Sequence, residues 1–94
     1  MSRTPLTDEE ISAALEGLPG WYVDSGRLAL RRELPSFLAA IAFVQEVAFV
    51  AEELDHHPDI DIRWRTVTLS VSTHDAGNVI TGKDVELAQR VSAG

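Results

Sequence analysis

Period-two alternation of apolar and polar residues marks the strands of this chain, and apolar runs at helical spacing mark its helices. Thr7-Asp8-Glu9-Glu10 opens the pattern as a capping box: Thr7 can cap a helix N-terminus and Glu10 can reach back. The short helix that follows turns Ile11, Ala14, Leu15 and Leu18 inward, and Leu18-Pro19-Gly20 ends it. Trp21-Tyr22-Val23 reads as a strand and Asp24-Ser25-Gly26 as a turn. Leu28, Leu30 and Leu34 then alternate with Arg and Ala, which predicts a second strand and a hairpin.

Pro35 stops that strand, and Ser36 can cap a long helix over residues 37–54. Its apolar residues are Phe37, Leu38, Ile41, Phe43, Val44, Val47, Phe49, Val50 and Leu54, and only Gln45, Glu46, Glu52 and Glu53 are polar. A helix apolar around most of its circumference is buried on more than one side. A chain this small has few layers to cover it twice, so another subunit is the expected second cover. A central helix covering a sheet without an oligomer is the alternative.

Pro58 cannot continue that helix, and it pushes His57 toward extended geometry. The His56-His57 pair therefore sits where a helix turns into a strand. Ile60, Ile62 and Trp64 alternate with Asp and Arg, and Val67, Leu69 and Val71 alternate with Thr and Ser. His74 lies just past the end of the last strand, and Asp75-Ala76-Gly77-Asn78 is a loop. Thr81-Gly82-Lys83-Asp84 repeats the capping-box pattern and opens a C-terminal helix with Val85, Leu87, Ala88 and Val91. The order α-β-β-α-β-β-α predicts an α+β fold: a four-stranded, mostly antiparallel sheet with helices packed on one face. The other face would be partly open, which suits a binding surface.

Length and composition bound the rest. Ninety-four residues make one domain, spanning residues 1–94, and 45% apolar residues supply its core. There is no cysteine, hence no disulfide framework and no thiolate chemistry. The N-terminus lacks the apolar run of a signal peptide, and no segment approaches the ~18 apolar residues of a membrane span. We expect a soluble, cytoplasmic protein with no membrane partner. The net charge of −7 argues against nucleic acid, because phosphate contacts need clustered Lys and Arg. The nearest basic groupings, Arg31-Arg32 and Arg63/Arg65, read as solvated strand faces.

The three histidines carry the chemistry. All of them lie in Glu52-Glu53-Leu54-Asp55-His56-His57-Pro58 and Thr73-His74-Asp75. Histidine exchanges a proton near neutral pH, so this concentration points to acid/base work or to a metal. Eliminating water from a saturated carbon needs an acid for the leaving hydroxyl and a base for the proton lost nearby. Histidines around one cavity can supply both, with a gain of roughly 10²–10⁴-fold. Asp55, Glu52 and Asp84 could orient imidazoles or accept hydrogen bonds from a polar heterocycle. Three neutral imidazoles also resemble a zinc triad. Against that, His56 and His57 are adjacent and lack the i, i+4 spacing that puts two ligands on one helix face. A purely structural role remains for any one of them, since a histidine at a helix C-terminus suits the macrodipole.

At these residues the chain resembles the pterin-4a-carbinolamine dehydratases. The pattern is Glu52, three residues, His56-His57-Pro58, five residues, Trp64, nine residues, His74, then nine residues to Asp84. Gly20-Trp21, Phe37, Phe43, Ala51-Glu52, Ser72-Thr73-His74-Asp75-Ala76-Gly77 and Leu87-Ala88 extend it. The resemblance implies dehydration of 4a-hydroxytetrahydropterin to quinonoid dihydropterin, recycling the cofactor of aromatic amino acid hydroxylases. It implies no metal and no cofactor. It implies catalytic histidines: His56 and His74 as acid and base, with His57 mainly orienting the pterin. Glu52, Asp55, Pro58, Ser72, Thr73 and Asp84 would bind substrate, with Trp21 near the rim. It also implies an α+β domain that forms homodimers or homotetramers. Members of this fold can serve instead as dimerisation or assembly modules.

One departure stands out. The family usually has a second glycine after Gly77, whereas this chain runs Asn78-Val79-Ile80-Thr81, one residue longer. Asparagine tolerates left-handed backbone better than most residues. Asp84 has two readings, a site residue or a capping carboxylate paired with Thr81. Trp21 and Trp64 read as core more readily than as pocket residues, because aromatic side chains dominate cores.

Overall fold

A computed structural model describes residues 4–93. Thr7 caps α1 (Asp8–Glu16) with both bonds of the capping box in place. Ile11 and Leu15 pack against the core, and Leu18 just past the helix is buried in it. Strands β1 (Trp21–Asp24) and β2 (Arg27–Glu33) form the hairpin. The long helix α2 (Phe37–Leu54) starts after Ser36, whose side chain accepts the Ala39 N–H. It ends at Asp55, which takes left-handed backbone at φ 50°. Strands β3 (Asp59–Arg63) and β4 (Thr66–Val71) follow, then a 3-10 turn at His74–Ala76 and α3 (Gly82–Ala93).

The sheet order is β1-β2-β4-β3, and every neighbouring pair is antiparallel. Leu28 and Leu30 of β2 and Val67, Leu69 and Val71 of β4 point into the core. They meet Phe43 and Val47 of α2 and Leu87, Ala88 and Val91 of α3. The four fully covered α2 residues, Ala40, Phe43, Val47 and Ala51, recur at three- and four-residue steps and define one stripe. Alternate strand residues face the other way and are mostly polar, with Ala29 a buried exception. On that face Arg27 donates to Ser70 Oγ at 2.6 Å and to Ser72 Oγ at 3.1 Å, and pairs with Asp59 at 3.0 Å.

Val44, Val50 and Leu54 are partly buried beside that stripe, but one flank of α2 is not covered. Leu38 and Phe49 are 78% and 74% exposed, and Phe37 is half exposed. Covering a large apolar side chain is worth roughly 1.5–3 kcal/mol, so this flank leaves favourable burial unused.

Trp64 departs from the sequence pattern. The alternation through Ile60 and Ile62 suggested a strand continuing into it, but β3 stops at Arg63, which pairs with Thr66 of β4. Trp64 and Arg65 make the two-residue connection, and Trp64 takes φ 54° there. The indole is largely exposed, with the Arg65 guanidinium over its ring at 4.8 Å. It is therefore neither core nor pocket.

Candidate active site

The chain stops at Pro58 and at Gly77 build the site. Ending α2 with Asp55 in left-handed backbone turns His56 and His57 off the helix; the His56 N–H still bonds back to Ala51 O. Past β4, the backbone closes a tight loop in which Thr73 N–H bonds Val79 O and Asn78 N–H bonds Thr73 O. Gly77 at φ 92° and Asn78 at φ 62° both take left-handed backbone, so the longer loop is accommodated by residues that tolerate it. That loop lifts His74 beside the α2 end. A cavity of about 260 Å³ results, lined by Asp55, His56, His57, Ser72, Thr73, His74, Asp75 and Lys83.

Behind the cavity wall lies a buried polar network centred on Asp84. Its carboxylate is wholly removed from solvent. Oδ1 accepts from His56 Nε2 at 2.7 Å, while Oδ2 accepts from the Thr73 hydroxyl and from the Thr81 N–H, each at 2.8 Å. The hydroxyls of Thr73 and Thr81 also share a 2.6 Å hydrogen bond. A carboxylate only accepts, so His56 Nε2 must carry a proton, and neutral His56 then keeps its lone pair on Nδ1. Burying an isolated carboxylate is costly, but three donors, His56 among them, offset that cost here.

The other two imidazoles are held more loosely. His57 Nε2 donates to Glu52 Oε2 at 2.6 Å, and both residues are exposed. His74 Nδ1 meets Asn78 Oδ1 at 3.1 Å, which leaves Nε2 free. So the three histidines share one cavity, but only His56 is backed by a buried charge. Among the described residues no three His, Asp or Glu side chains are grouped to hold a metal ion.

Not every residue expected at the site is there. Trp21 is buried in the core at 6% exposure, in the row Trp21–Leu30–Leu69–Ile60, and its indole N–H donates to Ser92 Oγ at 2.9 Å. It does not line the cavity. Pro58 shapes the chain reversal without lining the cavity. Glu52 also stands outside, reaching the site through His57, and lines a separate hollow on α2 with Gln45, Ala48 and Phe49. Asp84 combines its two readings. It accepts the Thr81 N–H as a capping carboxylate, and it stands behind His56 rather than in the cavity. Ser72, Thr73 and Asp55 do line the cavity, with the Ser72 hydroxyl engaged by Arg27.

Two lining residues, Asp75 and Lys83, were not singled out from the sequence. Lys83 could have been. It occupies the first turn of α3, where a cation opposes the helix macrodipole.

This fold, a four-stranded antiparallel sheet with three helices, matches that of a known protein. The crystal structure of a transcriptional coactivator/pterin dehydratase from Brucella melitensis superposes with a TM-score of 0.88 at 32% identity, covering 96% of this chain and 97% of that one. Sequence relatives are closer. A protein of Roseiflexus castenholzii is 56% identical over 92% of this chain and 91% of its own length. One of Streptomyces coelicolor is 50% identical over 97% of this chain and 90% of its own. Both are named putative pterin-4-alpha-carbinolamine dehydratases. The family model for pterin 4 alpha carbinolamine dehydratase matches residues 4–93. The chain belongs to this family.

Proposed function

We propose that this protein dehydrates 4a-hydroxytetrahydropterin to quinonoid dihydropterin by histidine acid/base catalysis. The carrying observation is the cavity in which His56, His57 and His74 meet, with the buried Asp84 behind His56. The substrate carbon C4a bears a hydroxyl and is bonded to N5. The C4a–O bond breaks, the N5 electron pair forms the C4a=N5 bond, and the N5 proton is lost. One proton must reach the departing oxygen and one must leave N5, so the products are water and the quinonoid ring.

His56 suits the base. Its Nδ1 lone pair is available, and Asp84 stabilises the imidazolium that forms. His74 suits the acid in its imidazolium form: Nδ1–H donates to Asn78 Oδ1, the Nε2 proton is left to reach the departing oxygen, and the residue is exposed at the cavity mouth, where water can restore that proton. His57, steadied by Glu52, orients the pterin. Asp55 and the Ser72-Thr73 edge complete the walls. No resident metal or cofactor takes part in this scheme.

The reaction serves recycling of a tetrahydropterin in the cytoplasm. The working form is a homodimer or homotetramer, with the uncovered flank of α2 as one contact surface. That same flank supports a second reading, an assembly module for other proteins. His56→Ala, His74→Ala tests between them. The dehydratase account requires that this folded double variant lose acceleration of carbinolamine dehydration; full physiological activity in it would favour the assembly module.

A further inference from the structure

Lys83 lines the cavity together with the three histidines and two carboxylates, Asp55 and Asp75. Its backbone is fixed: the Lys83 N–H donates to Thr81 Oγ1 at 3.2 Å, and Thr81 is tied to Thr73 and Asp84. The position of its stem is thus coupled to the network that holds His56. A lysine in the first turn of a helix opposes the helix macrodipole and is locally unfavourable. Local rules broken in this way tend to mark functional positions.

The cavity is consequently dipolar, with a cation on the α3 wall and carboxylates on the turn after α2 and the turn after β4. A pterin ring is dipolar in the same sense. Its N3–H and 2-amino groups form a donor edge, which matches a carboxylate. Its C4 carbonyl is an acceptor beside the reacting C4a, which matches an ammonium. We propose that Lys83 is a specificity-determining residue that donates a hydrogen bond to the C4 carbonyl oxygen of the substrate. In that pose the donor edge of the ring is turned toward the carboxylates. The inference rests on the pterin reading above and deepens it: the site selects 4-oxopteridines over pteridines lacking that oxygen.

The test is a binding cycle, read by quenching of ligand fluorescence. Two probes are used, pterin and 2-aminopteridine, which lacks the 4-oxygen. Each is titrated into the wild type, Lys83→Met and Lys83→Arg. Loss of a charge-assisted hydrogen bond should weaken pterin binding about 10- to 100-fold in Lys83→Met. The same variant should leave 2-aminopteridine binding unchanged, and Lys83→Arg should recover most of the pterin affinity. Equal weakening of both probes, or no weakening of pterin, overturns the inference. Failure of the wild type to bind either probe overturns the pterin reading itself and the inference with it, and that result appears before any variant is made.

Discussion

Asp84 and His56 are joined by a 2.7 Å hydrogen bond in which the carboxylate is fully buried and the imidazole shows only an edge to the cavity. The bond crosses 28 positions of sequence, from the end of α2 to the first turn of α3. One carboxylate thereby caps a helix through Thr81 and fixes a ring tautomer through His56. Folding and chemistry meet in it.

Asp84→Asn should damage both. The amide has one acceptor atom for three donors, and its NH2 group would face one of them. Each buried donor left unsatisfied costs roughly 1–3 kcal/mol, so a clear drop in thermal midpoint is expected. In the fraction that folds, kcat should fall at least ~100-fold with KM little changed, since Asp84 orients His56 rather than touching substrate. A rise in KM with kcat preserved would place Asp84 in direct contact with the pterin.

Thr73→Val isolates the hydroxyl at constant shape. It removes a donor to Asp84 and a partner of Thr81, all within the buried network. Leaving a buried polar group unsatisfied costs about 1–3 kcal/mol, readable by urea denaturation. An unchanged midpoint would mean that the network carries no stability. Thr73→Ser should retain most of it.

The pair of Glu52 and His57 behaves differently because it is exposed. Such pairs contribute roughly 0–1 kcal/mol, so Glu52→Gln should leave stability nearly untouched. Its effect should fall on substrate affinity, through a less well oriented His57. A Glu52→Gln variant with wild-type KM would remove His57 orientation from the account.

Gly77→Ala probes the loop that carries His74. No neighbouring atom lies within 4 Å of an added Cβ, so only the backbone at φ 92° resists the change. Left-handed geometry costs a non-glycine residue roughly 1–2 kcal/mol. A modest loss of stability is expected, with a larger loss of kcat as His74 shifts. Wild-type stability and rate together would show that the loop relaxes freely.

Much of this was legible in the sequence. The α2 limits at Phe37 and Leu54 follow from Pro35-Ser36 on one side and Pro58 on the other, because proline and caps act locally. Three strands followed from alternation and β1 from its Trp21-Tyr22-Val23 run before a turn, and the excess of apolar residues on α2 reappears as exposed Leu38 and Phe49. What did not follow depends on three-dimensional neighbours. Trp64 continues the alternation of β3 in type but not in structure, since the tight connection to β4 claims it. Trp21 could belong to rim or core until the sheet row that buries it was known. Asp84 read as cap or site residue, and only the approach of His56 from 28 residues away joins the two roles.

The uncovered flank of α2 makes a separate forecast. Phe49→Asp should yield a smaller assembly by sedimentation at micromolar concentration, with helical content intact. A wild-type monomer under the same conditions would reject self-association.

The most direct test of the central claim is the rate of dehydration of freshly generated 4a-hydroxytetrahydropterin, followed by ultraviolet absorbance with chelator present. The account predicts acceleration by the wild type that survives chelator and is lost in His56→Ala, His74→Ala. No acceleration by folded wild-type protein, or full acceleration by the double variant, would contradict it.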